Sequence, residues 1–295
     1  MTPSTRSRPK PLPSAHFSGI GTSWQLDLPT AVPERVLARV EDRVAQFDRD
    51  YSRFRSDSLV SRLAVHGGEV EFPADAPALF DLYDLLDSIS DGAVTPLVGR
   101  SLEHLGYDRE YSLRAQSGAV VPERWSSVVE RSGRSVSTKI PALIDVGAAG
   151  KGYLADLVGQ VLLDEGLDEF VIDASGDIVS RGEPLRVGLE HPFDPSKAIG
   201  VVTIENQALC ASGSNRRVWG EGLHHILDGR TGTPTSDVIA TWAIAESGLV
   251  ADGLATALFF VPPAALAEHF DFDWVRMRSD GTAERSRTLR GEVFS

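Results

Sequence analysis

The most informative segment of the chain is Leu143–Tyr153, which reads LIDVGAAGKGY. An apolar run enters a glycine-rich turn, and a helical pattern with an apolar stripe follows it. A strand, turn and helix in this order present free backbone N–H groups and the positive end of a helix dipole, which suits a phosphate group. The spacing matches neither a Walker A loop nor a G-x-G-x-x-G turn. An anion-binding turn and an ordinary strand–helix connection both remain open, and Lys151 alone is typical of a solvated surface lysine.

The patterns around this segment indicate an α+β fold, because helical periodicity dominates the first half and strand-like runs the second. Helices are predicted at 33–47, 77–90, 152–164 and 250–261. Strands are predicted at 17–28, with a central irregularity at Gly21-Thr22, and at 170–174, 185–190, 199–205, 238–246 and 274–278. We expect a single domain over residues 16–295, with a strand-rich second half and packed helices. Residues 1–15 hold four prolines and are expected to be a disordered tail.

Composition excludes several classes of protein. The 295 residues carry 29 Lys and Arg against 42 Asp and Glu, a net charge of −13, so a dedicated nucleic-acid binder is not expected. No segment has the roughly 20 consecutive apolar residues of a membrane span. The N-terminal cations are followed by prolines and not by an apolar stretch, so a cytoplasmic location is expected. The one cysteine, Cys210, lies in an apolar run and is predicted to be buried.

A second segment, 250–258, places Asp252 and Thr256 four residues apart on one face of a predicted helix. A carboxylate and a hydroxyl one turn apart are hard oxygen ligands, which suit Mg²⁺ better than zinc. The alternative is that Asp252 caps the start of the helix and Thr256 has no special role.

A third segment, 224–232, reads HHILDGRTG. A histidine with an ordinary pKa near 6.5 ahead of a polar glycine turn is a candidate general base. The alternative is a surface histidine before a hairpin, since Asp-Gly favours such turns. If the segment is a strand, His224 and His225 point to opposite sides and His224 is a natural control.

In this order the segments resemble the FAD:protein FMN transferase family, the ApbE-type flavin transferases, which move FMN from FAD onto a Thr or Ser of a target protein. The resemblance extends from about Gly19 to Val261. The matching segments are 21–24 (GTSW), 52–63 (SRFRSDSLVSRL), 145–156 (DVGAAGKGYLAD), 175–178 (SGDI), 211–213 (ASG), 225–232 (HILDGRTG) and 251–257 (ADGLATA).

The resemblance implies a Mg²⁺ ion, FAD as substrate, and an acceptor protein with a Thr or Ser hydroxyl. It implies that Asp252, Thr256 and the backbone carbonyl of Gly150 hold the metal, and that His225 and Asp252 are catalytic. It also implies that His225 accepts the proton of the attacking hydroxyl. The residues implied to bind FAD are Ile20, Phe54 (by stacking), Thr95, Gly147, Tyr153 and Ile226.

The sequence also departs from the family pattern. Thr95 stands where the family usually has Asp, Gly229 where it has Pro, Ala64 where it often has Asn, and Ile20 where it has Met. Two other functions stay open at this point. One is an FAD pyrophosphatase that releases FMN and AMP to water, and the other is a non-catalytic flavin-binding protein. A storage protein would need neither a metal nor a base, so the joint presence of His225, Asp252 and Thr256 favours an enzyme.

Overall fold

The fold is organised around an eight-stranded antiparallel sheet, seen in a computed structural model that describes residues 12–294. The helices within that range are α1 (Glu34–Tyr51), α2 (Leu59–His66), α3 (Ala76–Ile89), α4 (Gly99–His104), α5 (Trp125–Val128), α6 (Gly150–Asp164), α7 (Gly248–Ala257) and α8 (Pro263–Leu266), with a 3₁₀ turn at Pro96–Val98.

The strands are β1 (Ser14–Gly19), β2 (Thr22–Asp27), β3 (Gly68–Glu71), β4 (Val129–Ser132), β5 (Ser135–Thr138), β6 (Phe170–Asp173), β7 (Ile178–Arg181), β8 (Leu185–His191), β9 (Asp194–Ile204), β10 (Ala208–Gly213), β11 (Val218–Trp219), β12 (Leu223–His224), β13 (Leu227–Asp228), β14 (Thr233–Pro234), β15 (Val238–Ala245), β16 (Asp273–Arg278), β17 (Ala283–Arg285) and β18 (Gly291–Val293). The main sheet has the order β1-β2-β6-β7-β10-β15-β16-β17. The α+β class predicted from the sequence is confirmed.

Both faces of the main sheet are covered. On one face α1, α3, α6 and α7 pack over the sheet and form the large core. On the other face the three-stranded sheet β18-β9-β8 contributes Leu189, Val202 and Ile204 to a second core. Strand β15 is buried along its whole length because its alternate side chains enter the two cores, for example Ala243 and Trp242.

The first predicted strand is two strands that form a hairpin, and the irregularity expected near Gly21 is the turn between them. β1 pairs with β2 so that Gly19 lies opposite Thr22, and a two-residue loop joins them. Ile20 and Gly21 both have positive φ, at 45° and 76°. Such a turn matches the twist of a hairpin, but a β-branched residue adopts it only with strain. The expected tail over 1–15 falls mostly on residues 1–11, which lie outside the described residues, whereas Ser14 and Ala15 belong to β1.

Helices α6 and α7 cross in backbone contact, and this contact positions the site. A Cβ atom added to Gly152 would lie 2.0 Å from the carbonyl oxygen of Gly248. A Cβ atom on Gly248 would likewise lie 2.4 Å from the carbonyl oxygen of Gly152. Only glycine permits this approach at both positions. None of the helices within residues 12–294 is long and apolar enough to cross a membrane.

Candidate functional site

The glycine-rich segment is an irregular turn before α6. Residues 141–146 form no strand, so the strand predicted there is wrong, and the segment runs beside the 3₁₀ turn, where the Asp145 amide donates to the carbonyl of Pro96 at 2.7 Å. The Asp145 carboxylate accepts a hydrogen bond from the Gly147 amide at 2.6 Å and pairs with Arg53 Nε at 2.5 Å. These contacts fix the conformation of the turn.

A buried charged cluster lies where α6 meets α7. Asp252 is 4% exposed and accepts a hydrogen bond from the Gly152 amide at 2.8 Å. Lys151 Nζ lies 2.8 Å from Asp177 Oδ2, so Lys151 is not a solvated surface lysine. Burial and the neighbouring Asp177 raise the pKa of Asp252 well above its ordinary value. Burial lowers the pKa of Lys151, but the charges of Asp177 and Asp252 outweigh this effect and raise it. Two carboxylates against one lysine leave the cluster short of positive charge.

Thr256 connects α7 to the turn before α6. Thr256 Oγ1 donates to the carbonyl of Ala148 at 3.2 Å. Gly150 is the first residue of α6, and a carbonyl at that position points along the helix toward the amide four residues on. Gly150 stays the predicted source of the metal-binding carbonyl, and the Ala148 carbonyl is a second backbone oxygen within reach of Thr256. Within residues 12–294 no group of three or more His, Cys, Asp or Glu side chains is arranged to hold a metal.

The alternative role of Asp252 as a helix cap is wrong. Ser247 is the N-cap of α7, and its side chain accepts from the Val250 amide. The first amides of α7 are bound instead by Asp156, which accepts from Gly248 at 2.7 Å and from Leu249 at 2.8 Å. Burial raises the pKa of Asp156 to about 6. Asp156 therefore supports α7, a role that sequence could not separate from ligand contact.

The two adjacent histidines have different environments. His224 is buried, its Nε2 lies 2.8 Å from the carbonyl of Thr235, and its Nδ1 accepts from the Ile226 amide. His225 makes no hydrogen bond to the residues that the structure describes, and its Nδ1 is buried without a partner. Burial, and next the charge of Arg217, lower the pKa of His225 to about 3. The imidazole is therefore neutral at physiological pH, and the expectation of an ordinary pKa is wrong.

Two adjoining cavities bring most of the predicted site residues together. Cavity 1, of about 270 Å³, is lined by Thr95, Gly147, His225, Ile226, Asp252 and Thr256. Cavity 2, of about 470 Å³, is lined by Ile20, Phe54, Gly147 and Gly150. Six residues belong to both walls: Thr22, Tyr107, Asp145, Gly147, Lys151 and Arg217. An elongated ligand could therefore extend from one cavity into the other.

Tyr153 lies apart from the other predicted residues. It is 4% exposed, packs edge-on against Phe47 of α1, and is absent from the described walls of both cavities. Burial raises the pKa of its hydroxyl. Its position on α6 turns the ring into the large core, and the expectation that Tyr153 contributes to the FAD site stays a prediction.

Cavity 2 has an aromatic wall that sequence analysis only partly found. Phe54 stacks on Tyr111 with ring centroids 5.2 Å apart and an angle of 4°, and Tyr107 stacks on Trp219 at 5.5 Å. The guanidinium of Arg53 lies 4.2 Å from the Phe54 centroid. The sequence does not predict Tyr107 and Tyr111 as part of this wall, because the segment 107–111 has no helical or strand periodicity. Its aromatic content is the one feature that points to a stacking surface.

Two of the departures from the family pattern lie in contact. A Cβ atom at Gly229 would lie 2.4 Å from the carbonyl oxygen of Gly92 and 2.5 Å from Thr95 Cγ2. The Gly229 amide also donates to the carbonyl of Ala93 at 2.9 Å, a bond that proline cannot make. Glycine at 229 is therefore suited to this loop and does not simply loosen it.

A buried acid–lysine cluster, a neutral histidine and an aromatic wall surround two adjoining cavities inside an α+β fold, which is the kind of site that an enzyme presents. The sequence profile of the ApbE family matches residues 20–273, and the chain belongs to this family.

Relatives agree with this assignment. The FAD:protein FMN transferase of Klebsiella pneumoniae is 27% identical over 270 residues, covering 83% of this chain and 77% of that protein. The protein of the same name from Escherichia coli K12 is 25% identical over 305 residues, covering 93% and 84%. Among solved structures, the ApbE protein of Thermotoga maritima superposes with a TM-score of 0.80 at 24% identity, covering 94% of this chain and 97% of that one. The flavin transferase ApbE of Vibrio cholerae superposes with a TM-score of 0.78 at 20% identity, covering 94% of this chain and 98% of that one. These two structures confirm the fold.

Proposed function

We propose that this protein transfers the FMN part of FAD to a Thr or Ser hydroxyl of an acceptor protein, with AMP as the leaving group and Mg²⁺ as the metal. The observation that carries the proposal is the meeting of His225, Asp252 and Thr256 in the wall of one cavity. The relatives named FAD:protein FMN transferase support the same reaction.

FAD is an elongated ligand, and the two adjoining cavities suit its two parts. One aromatic ring system packs in cavity 2 beside Phe54, with Ile20 and Gly147 in the same wall. The diphosphate lies at the shared wall, near the amides of the turn before α6 and beside Lys151. Thr95 and Ile226 line the part of cavity 1 that receives the reacting end.

The residues present fit a Mg²⁺ ion. Asp252 supplies a buried carboxylate in a cluster that lacks one positive charge, Thr256 supplies a hydroxyl, and the backbone carbonyl of Gly150, with that of Ala148 nearby, supplies a neutral oxygen. Hard oxygen donors from few protein groups, with room for water and diphosphate oxygens, are typical of Mg²⁺ sites. When bound, the metal would neutralise charge that develops on the diphosphate as AMP departs.

His225 acts as the general base. Its imidazole is neutral near pH 7 because burial disfavours the charged form, so the nitrogen lone pair that must receive the proton is free. A hydroxyl of the acceptor that enters cavity 1 would lose its proton to His225 as its oxygen attacks the phosphorus of the FMN half. Lys151, held by Asp177, keeps a fixed positive charge beside the reacting phosphate.

Transfer and hydrolysis are separated by one experiment. The protein is incubated with FAD and Mg²⁺, with and without a candidate acceptor peptide, and AMP, free FMN and peptide mass are measured together. Transfer predicts AMP in step with FMN-modified peptide and little free FMN. Free FMN equal to AMP, with an unmodified peptide, would instead identify an FAD pyrophosphatase.

A further inference from the structure

The positive charges around the two cavities are not equivalent. Four Arg and Lys side chains within residues 12–294 line the cavity walls: Arg53, Lys151, Arg216 and Arg217. Three of them are paired with carboxylates, Arg53 with Asp145 at 2.5 Å, Lys151 with Asp177 at 2.8 Å, and Arg216 with Glu190 at 3.1 Å.

Arg217 is different, because no carboxylate of the described chain lies within ion-pair distance of it. It is an exposed side chain in the segment between β10 and β11. It belongs to the wall that the two cavities share. Its guanidinium carbon lies 5.8 Å from the ring centroid of Tyr107. Its positive charge also contributes to the low pKa of His225. Arg217 therefore lies near the ring of Tyr107 and in the wall of the cavity that also holds His225.

A negatively charged ligand needs an unpaired cation in this site. The charges of the other three cations are already neutralised by their carboxylate partners. The whole chain has a net charge of −13. A ligand with two negative phosphates would be repelled unless a positive group faced it directly. A guanidinium offers a rigid fork of donors that matches phosphate oxygens.

We propose that Arg217 is a specificity-determining residue that binds the diphosphate where FAD passes from cavity 2 into cavity 1. This inference rests on the proposed function for the identity of the ligand. Arg217 then distinguishes FAD from flavins that lack a diphosphate, and it holds the phosphate of the departing AMP. Arg216 does not share this role because Glu190 already neutralises it.

The test is equilibrium binding of FAD and of riboflavin, which lacks the diphosphate, measured by flavin fluorescence in the presence of EDTA so that no turnover occurs. Arg217→Ala should weaken FAD binding about tenfold and leave riboflavin binding unchanged, since one charge-assisted contact is removed. Arg217→Lys should fall between, because a point charge remains but the fork is lost. Arg216→Ala, the matched control, should bind both flavins like the wild type.

The inference would be overturned by unchanged FAD affinity in Arg217→Ala, by an equal loss of riboflavin affinity, or by the same loss in Arg216→Ala. An equal loss for riboflavin would mean that Arg217 only packs on Tyr107. A wild type that binds riboflavin as tightly as FAD would also overturn it. A failure of the proposed function would give a different result. FAD and riboflavin would then bind to the four proteins as predicted here, but no acceptor would gain the mass of FMN.

Discussion

Replacing Gly152 with alanine should separate α6 from α7 and move Asp252. The added Cβ atom would lie 2.0 Å from the carbonyl oxygen of Gly248 and 2.6 Å from Asp252 Cβ, whereas ordinary contacts begin at 3.4 Å. Relieving the first clash alone requires a movement of 3.4 − 2.0 = 1.4 Å. Overpacking of this kind costs about 1–3 kcal/mol.

The same movement stretches the hydrogen bond from the Gly152 amide to Asp252, which is 2.8 Å long. A bond to a charged acceptor contributes about 1.5–3 kcal/mol. We therefore expect a loss of about 2–4 kcal/mol in the free energy of unfolding and a melting temperature lower by roughly 5–15 °C. A displacement of about 1 Å at a catalytic carboxylate should also lower turnover of FAD about a hundredfold.

Gly159→Ala is the matched control, because it makes the same change in the same helix. Its Cβ atom would lie 3.3 Å from Phe170 Cζ and 3.6 Å from Ile172 Cδ1, so the neighbours need to give by only tenths of an ångström. Its melting temperature should be unchanged or higher, since alanine favours helix over glycine. Thermal unfolding by circular dichroism and FAD turnover at 25 °C measure both variants. Equal melting temperatures and equal turnover for the two variants would refute the close-contact argument.

Three further predictions concern side chains of the site. His225→Ala should lower the rate of the chemical step by about 10²–10⁴, with little change in FAD affinity. The rate of the wild type should not fall with a midpoint near pH 6.5, because a pKa of about 3 keeps the imidazole neutral well below that pH. Single-turnover rates from pH 5 to 8 measure this, and a midpoint near 6.5 would contradict it. His224→Ala should lower the melting temperature, since the Ile226 amide and the carbonyl of Thr235 lose their partner; an unchanged melting curve would show that these bonds contribute nothing. Asp252→Ala should abolish the increase in FAD affinity that Mg²⁺ produces, whereas Thr256→Ala should only reduce this increase, because water can replace a hydroxyl ligand. Calorimetric titrations of FAD with and without Mg²⁺ measure both variants. Equal effects of the two substitutions would contradict the prediction that Asp252 is the stronger ligand.

Much of the fold follows from local patterns. Apolar residues recur in α1 at Val36, Val40, Val44 and Phe47, and all four are buried as the periodicity predicts. The pattern continues to Tyr51, where the helix ends, because the ring packs on Phe47 at 4.6 Å. The first hairpin could not be predicted, because Ile20 is a poor turn residue and its positive φ depends on the pairing of the two strands.

The candidate site was predictable only where residue type and spacing decide the chemistry. Asp252 and Thr256 are one helical turn apart, so any helix places both on one face, and both line cavity 1. Tyr153 and His224 have the right chemistry, but packing decides their direction, and one enters the core while the other binds the loop at Thr235. Which backbone carbonyl lies beside Thr256, that of Ala148 or that of Gly150, depends on where the turn ends and α6 begins, which composition does not reveal.

The central claim is that FMN reaches a hydroxyl of another protein by way of this cavity. The most direct measurement is the intact mass of an acceptor protein after incubation with FAD, Mg²⁺ and either the wild type or Asp252→Ala. We predict that the wild type adds the mass of one FMN, less water, to a Thr or Ser of the acceptor, and that Asp252→Ala adds none. An unmodified acceptor in a mixture where the wild type releases AMP would contradict the claim, as would equal modification by the two proteins.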